Sequence, residues 1–340
     1  MKHFTKIPAV LFGVIVVAML LCNAFSAEVV VYSSVDDVFA RPVAERFQKE
    51  TGITVKLVPD TEETKSTGLL NRLIAEKKRP VADVFWSGDP VRAAILKAKG
   101  VSAPYQSANA ADLPKLFSDP DGHWTGFSSR ARIIIYNKEL IPAGAEPKSV
   151  LDLANPKFKG KGCIANPLFG TTSMHAAALF QALGDAKAKE FFTAMKENGV
   201  SILSSNGEVK RRVAAGDFAF GLTDTDDASV ALKEGKSVGI IYPDQDGMGA
   251  LIVPNAVVLI ANAPHQEEGK KFIDYLLTPA VEQALAESGA AQIPVRKGVA
   301  VPAGVRPLDD IKPMQVNYEK LAGALDELSR GFLKEWVGGR

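Results

Sequence analysis

The sequence predicts an α/β protein built from two doubly wound units. Three observations carry that prediction. Short β-branched runs alternate with segments of helical period over residues 28–100, the same plan returns over residues 129–255, and 340 residues are more than one small core accommodates.

The first unit opens with EVVVYSSVDD. Residues 29–32 form a β-branched apolar run, as expected of a strand buried on both faces. In the following VFARPVAERFQKETG, Phe39, Val43 and Phe47 recur at helical spacing and Gly52 supplies the stop. ITVKLVP is a second strand and GLLNRLIAEKKRP a second helix closed by Pro80. ADVFWSGDP is a third strand with its exit loop, and VRAAILKAKG a third helix. This βαβαβα order predicts a parallel sheet covered by helices. Ligands of such sheets bind beyond the carboxyl ends of the strands. There the sequence places Ser33, Ser34 and Asp36 after the first strand, and Ser87 and Asp89 after the third. Both loops lead into helix starts, whose free N–H groups favour anionic partners. Plain N-capping explains either loop alone; their repetition at successive strand ends points to a site.

The second unit follows the crossing run GFSSRARIIIYN. It contains the strand-like KGKGCIANP, the helices GTTSMHAAALFQALG and AKEFFTAMKENG, and the helix and strand of SSNGEVKRRVAAGDFAFGLTDTDD. The strand over 218–222 ends at GLTDTDDAS, which gathers Thr223, Asp224, Asp226 and Asp227 at its carboxyl end. Capping of a helix over 227–234 accounts for one aspartate. An EF-hand loop does not fit, since the sixth position from Asp224 is Ser229 and the twelfth is Gly235. The cluster is therefore expected to line a cleft, offering hard oxygens to a metal or accepting hydrogen bonds from an ammonium or a polyol. Arg130 and Arg132 share one face of the crossing strand by alternation, which brings one of them to the ligand anion. Trp86, Trp124 and His175 are expected in the core, and Cys163 as a buried structural thiol. The amphipathic NYEKLAGALDELSRGFLKEWV closes the chain.

Residues 1–27 read as a secretory signal peptide: Lys2 and Lys6, an apolar run over 7–21, then CNAFSA with cleavage after Ser26 or Ala27. The run is short for a membrane span, and Leu21 before Cys22 is a poor lipidation context. Losing the leader takes the net charge from +1 to −1 and leaves Cys163 as the single cysteine, so no intrachain disulfide is expected. A periplasmic protein follows from this reading. No basic stripe suggests nucleic acid. The sequence carries no G-x-S-x-G elbow, H-E-x-x-H, P-loop or G-x-G-x-x-G, so an enzyme, such as a secreted hydrolase, is not expected.

VVVYSS, ADVFWSGDP, GFSSRARIIIYNKEL, LDLANPKFKGKGCIANP, VAAGDFAFGLTD and GKKFIDYLLTPAVEQALAESGAAQIPVR together span nearly all of 28–300. In that order they resemble the family-1 periplasmic solute-binding proteins of ABC importers, and among these the ferric-ion-binding proteins. The resemblance implies a type II periplasmic-binding fold. Lobe one would comprise 28–128 plus 256–340 and lobe two 129–255, hinged by crossing strands at 126–137 and 250–261. It implies a monomer that delivers a small molecule or metal ion to an inner-membrane ABC permease, without other cofactor. It places metal ligands near Asp36 and Gly88-Asp89, and a tyrosine pair where this chain has Thr225, Asp226 and Asp227. Asp36, Asp89, Asp224 and Asp226 are the candidate metal ligands here. It also implies an anion subsite at Gly170, Thr171, Thr172 and Ser173. The ligand expected is iron or another metal with a synergistic anion, or alternatively an organic phosphate, phosphonate or polyol.

Overall fold

The computed structural model describes residues 27–61 and 66–338. The expected leader lies outside the described residues except for Ala27. The chain forms one sheet from β1 (Glu28–Ser33), β2 (Thr54–Pro59), β3 (Val84–Ser87), the short β4 (Ser102–Ala103) and parts of β5 (Thr125–Asn137) and β10 (Ile252–Ile260). β2, β1 and β3 are parallel neighbours, and β10 pairs antiparallel with β3. The intervening helices α1 (Asp37–Thr51), α2 (Thr67–Ala75) and α3 (Pro90–Ala98) make the parallel connections. The apolar run at 29–32 is buried throughout, as a parallel strand covered by helices must be.

A second sheet is built on β6 (Gly162–Ala165), β7 (Ser201–Leu203), β8 (Phe220–Asp224) and β9 (Val238–Ile241). β6 pairs parallel with both β7 and β8. Its helices are α4 (Gly170–Leu183), α5 (Asp185–Glu197), α6 (Asn206–Ala214) and α7 (Thr225–Lys233). The two sheets share β5. Up to Ala131 it pairs with β10, and from Arg132 onward it pairs antiparallel with β8, setting Arg132 directly opposite Asp224. The crossing is irregular on both strands. β10 carries a register shift between Pro254 and Asn255, and Ser128 of β5 has φ 38°. Asn255 Nδ2 donates to the Ser128 carbonyl at 2.8 Å, and the Ser128 N–H donates to Glu282 at 3.0 Å, so neighbouring side chains hold the distortion.

Beyond α8 (Gln266–Leu276) and α9 (Pro279–Glu287), the C-terminal segment, assigned to lobe one by the resemblance, packs against helices of both sheets. α10 (Tyr318–Arg330) packs on both α3 and α4, and α11 (Phe332–Gly338) sits on α5. Trp336 stacks edge-on against Phe192 and donates to its carbonyl at 2.7 Å, while Phe332 meets Phe180 and Phe192. Aromatic burial against the second sheet's helices decides the docking; amphipathicity alone could not say which surface it would cover. Trp86, Trp124 and Cys163 lie in the core as expected, and burial pushes the Cys163 thiol up to about 12.

One glycine ties this fold to the site. Gly221 lies in β8, and a Cβ there would sit 2.5 Å from Val209 Cγ1 and 2.8 Å from Cys163 Sγ. Its bare backbone lets α6 rest against β8. Gly221→Ala is expected to cost about 1–3 kcal/mol through overpacking, measured as a lower urea midpoint with unchanged slope.

Candidate ligand cleft

Between the two sheets lies a cleft of about 270 Å³. Its wall is made mostly of strand ends and the helix starts that follow them. Asp36 precedes α1, Gly88 follows β3, Gly170 opens α4, Ser205 and Asn206 open α6, and Asp224 leads into α7. Gly170 has φ 54°, a conformation in which a side chain is strained, and nothing stands where its Cβ would be. Ser205 caps α6, accepting from the Glu208 N–H at 3.1 Å. The N–H groups of several helix starts are thus directed toward one space.

Beneath the wall is a buried polar network centred on Arg132. Its Nη1 donates to Asp224 Oδ1 at 2.8 Å, Thr171 Oγ1 at 3.1 Å and Asn206 Oδ1 at 3.1 Å. Nη2 reaches Thr172 Oγ1 at 3.3 Å and Nε reaches His175 Nδ1 at 3.4 Å. The other Asp224 oxygen accepts from Thr171 Oγ1 at 2.7 Å and Asn206 Nδ2 at 3.3 Å. Burial works to raise the Asp224 carboxyl. The Arg132 and Arg130 guanidiniums and the hydrogen bonds from Thr171 and Arg132 outweigh it and hold the group below the usual carboxylate range. Burial, assisted by the charge of Arg132, drives His175 down to about 3, so that it is neutral and accepts through Nδ1.

Arg130 lies two residues along the same strand face, as alternation predicts. It donates to the Gly88 carbonyl from Nη2, and its Nε lies 3.5 Å from Asp226. It therefore touches both the first sheet's loop and the second sheet's acidic cluster. Asp227 accepts from Thr223 Oγ1 at 2.8 Å. One oxygen each from Asp224, Asp226 and Asp227 fall within 4.8 Å of one another. Lys210 and Arg211, four residues past Asn206 and Gly207, add positive charge to the rim.

Of the residues expected from sequence, Ser34, Asp36, Arg130, Gly170, Thr171, Thr172, Asp224, Asp226 and Asp227 line the cleft. Ser33, Ser87, Asp89, Ser173 and Thr223 do not; each is buried behind the wall. Ser33 accepts from the Val35 N–H, and Ser87 donates to the Asp89 carbonyl. Asp89 caps α3 through the Arg92 N–H and pairs with the Arg92 guanidinium at 3.4 Å, which removes it from the candidate metal ligands. Ser173 accepts from Arg92 at 2.7 Å. Asn206, Lys210 and Arg211 were not expected from sequence. The available signal was Ser205-x-x-Glu208 after a strand, the same strand-to-helix-start grammar as the other loops.

Comparison with known proteins bears on this geometry. A model of the family described as bacterial extracellular solute-binding protein matches residues 43–308. The chain belongs to that family. The Iron uptake protein A1 of Synechocystis sp. is 30% identical over 82% of this chain and 79% of its own length. A putative 2-aminoethylphosphonate-binding periplasmic protein of Salmonella typhimurium is 27% identical, with 84% of each chain covered. The structure of a ferric binding protein from Campylobacter jejuni superposes with a TM-score of 0.81 at 25% identity, over 91% of this chain and 99% of that one. This solute-binding protein thus has the type II periplasmic-binding fold and is a binding protein rather than an enzyme. Its relatives are periplasmic, and among the described residues no helix is long and apolar enough to cross a membrane.

Two predictions follow from the Arg132 network. Asp224→Asn leaves an uncompensated guanidinium and is expected to cost about 3–5 kcal/mol in urea unfolding. His175 has a folded pKa of about 3 against an ordinary value of 6.5, so the unfolded chain takes up this proton first as the pH falls. Stability is therefore lost below pH 6.5, by up to about 1.4 kcal/mol per pH unit for this one group. His175→Asn is expected to flatten that slope between pH 6.5 and about pH 3 when unfolding free energy is followed against pH.

Proposed function

We propose that this protein captures a small ligand bearing a phosphate- or phosphonate-type group and delivers it, as a monomer, to an ABC permease in the inner membrane. The observation that carries this reading is the charge of the second-sheet wall. Lys210 and Arg211 stand beside the starts of α4 and α6, with Arg130 across the cleft floor, while Asp224 is already neutralised by Arg132. Oxyanions are held by such convergent N–H groups and cations. Asp36, Asp226 and Asp227 supply acceptors for an ammonium or hydroxyl groups at the ligand's other end. The phosphonate-binding relative is consistent with this class of ligand. Hinged closure of the lobes would bring both ends into contact.

A metal with a synergistic anion is the second reading. The close approach of Asp224, Asp226 and Asp227 favours it, as does the iron-uptake relative. Against it, no tyrosine lines the cleft among the described residues, and the acidic cluster is flanked by Arg130 and Arg132.

A thermal-shift and calorimetric screen separates the two. Ligand at about a hundred times its dissociation constant adds roughly 2.7 kcal/mol of stability. 2-Aminoethylphosphonate or fructose 6-phosphate is expected to stabilise the protein where ferric citrate does not. Replacing Lys210 and Arg211 together by Ala is expected to weaken binding by about tenfold or more, through lost charge-assisted hydrogen bonds. Stabilisation by ferric citrate alone would overturn the reading.

A further inference from the structure

The acidic cluster and the cation-rich wall pose a problem of selectivity. One oxygen each from Asp224, Asp226 and Asp227 lies close enough to the others to share an ion. The geometry points to Arg132 as the residue that resolves it: we infer that its guanidinium acts as a fixed internal cation, filling the oxygen-rich pocket of Asp224, Thr171 and Asn206 and denying Asp224 to a metal ion. The inference deepens the anion-receptor reading given above and rests on it.

Three oxygens surround a single nitrogen of Arg132, from Asp224 at 2.8 Å, Thr171 at 3.1 Å and Asn206 at 3.1 Å. A carboxylate, a hydroxyl and an amide carbonyl are the donor types that hard cations take. Here a protein nitrogen occupies their centre. Arg132 is fully buried and fixed from behind by His175 and Thr172, so it does not swing aside to admit an ion. Both Asp224 oxygens are already engaged, Oδ1 by Arg132 and Oδ2 by Thr171 and Asn206. A metal reaching Asp224 would have to strip Arg132 of the carboxylate that compensates it and then lie beside two guanidiniums, since Arg130 Nε is 3.9 Å from the same carboxylate. Asp226 and Asp227 without Asp224 make a poor cage. The cluster is thereby left to accept hydrogen bonds from a ligand while the anion is bound by the basic wall.

The test is a Mn²⁺ titration of the full mature chain followed by electron paramagnetic resonance, with circular dichroism and cooperative unfolding as folding controls. Wild type is expected to show no Asp224-dependent Mn²⁺ binding. Arg132→Met keeps the stem and removes the charge. It is expected to gain Mn²⁺ affinity by roughly tenfold or more and to be stabilised by the ion. Arg132→Met with Asp224→Asn loses the gain, and Arg132→Lys, which retains the cation, does not acquire it. A folded Arg132→Met protein with wild-type Mn²⁺ affinity overturns the inference. So does tight Mn²⁺ binding by wild type that Asp224→Asn abolishes, an outcome readable even if Arg132→Met fails to fold. Titration of the wild type with 2-aminoethylphosphonate and fructose 6-phosphate is read separately: failure there overturns the proposed ligand class, while the Mn²⁺ arms still report on Arg132.

Discussion

The cross-strand pair of Arg132 and Asp224 is the interaction on which the cleft depends. β5 leaves one sheet and enters the other at this point, and Arg132 is the first residue to pair in the second. A fully buried guanidinium is costly unless it is matched by a carboxylate and its remaining donors are satisfied. The matching group comes from β8, and the remaining acceptors come from the starts of α4 and α6. Satisfying one arginine therefore locks together the crossing strand, the strand that carries the aspartate cluster, and the two helix starts that line the ligand space. The price of burying this charge is repaid as registration of the site. His175, neutral within the core, completes the shell behind it.

The functional character of the cleft follows from how its charges are divided. Asp224 belongs to the scaffold, because Arg132 and Thr171 engage its oxygens. The cleft presents a basic wall at Lys210 and Arg211, helix starts at Gly170 and Ser205, and carboxylates at Asp36, Asp226 and Asp227. Such a surface suits a ligand with an anionic head and a hydrogen-bonding body better than a bare cation. Arg130 bridges the two sheets, since it touches the Gly88 carbonyl on one side and approaches Asp226 on the other. A ligand bound beside Arg130 would meet groups from both sheets, which is what any occupancy-dependent closure would require.

Much of the fold was legible because parallel strands covered on both faces leave continuous apolar runs, and crossing strands leave long ones. Residues 29–32 and 83–87 are of the first kind, and β5 and β10 of the second. The site's neighbourhood was legible for the same reason: strand ends in open α/β sheets mark it. Which side chain turns inward was not. Ser87 and Asp89 have the right residue types in the right loop, yet they hold each other and α3. The partnership of Arg132 with Asp224 spans 92 positions and depends on an antiparallel register that no local pattern reveals. Lys210 and Arg211 look like the polar face of any short amphipathic helix. Only the approach of α6 to β8, permitted by Gly221, turns that face into a cleft rim.

The most direct measurement is a crystal structure of the protein grown with 2-aminoethylphosphonate and ferric citrate present together, with diffraction recorded at the iron absorption edge. The account predicts a phosphonate seated among the N–H groups at 170–172 and the side chains of Lys210 and Arg211, the Arg132–Asp224 pair intact, and no iron signal in the cleft. An anomalous peak coordinated by Asp224, Asp226 and Asp227, with Arg132 displaced from the carboxylate, would contradict it.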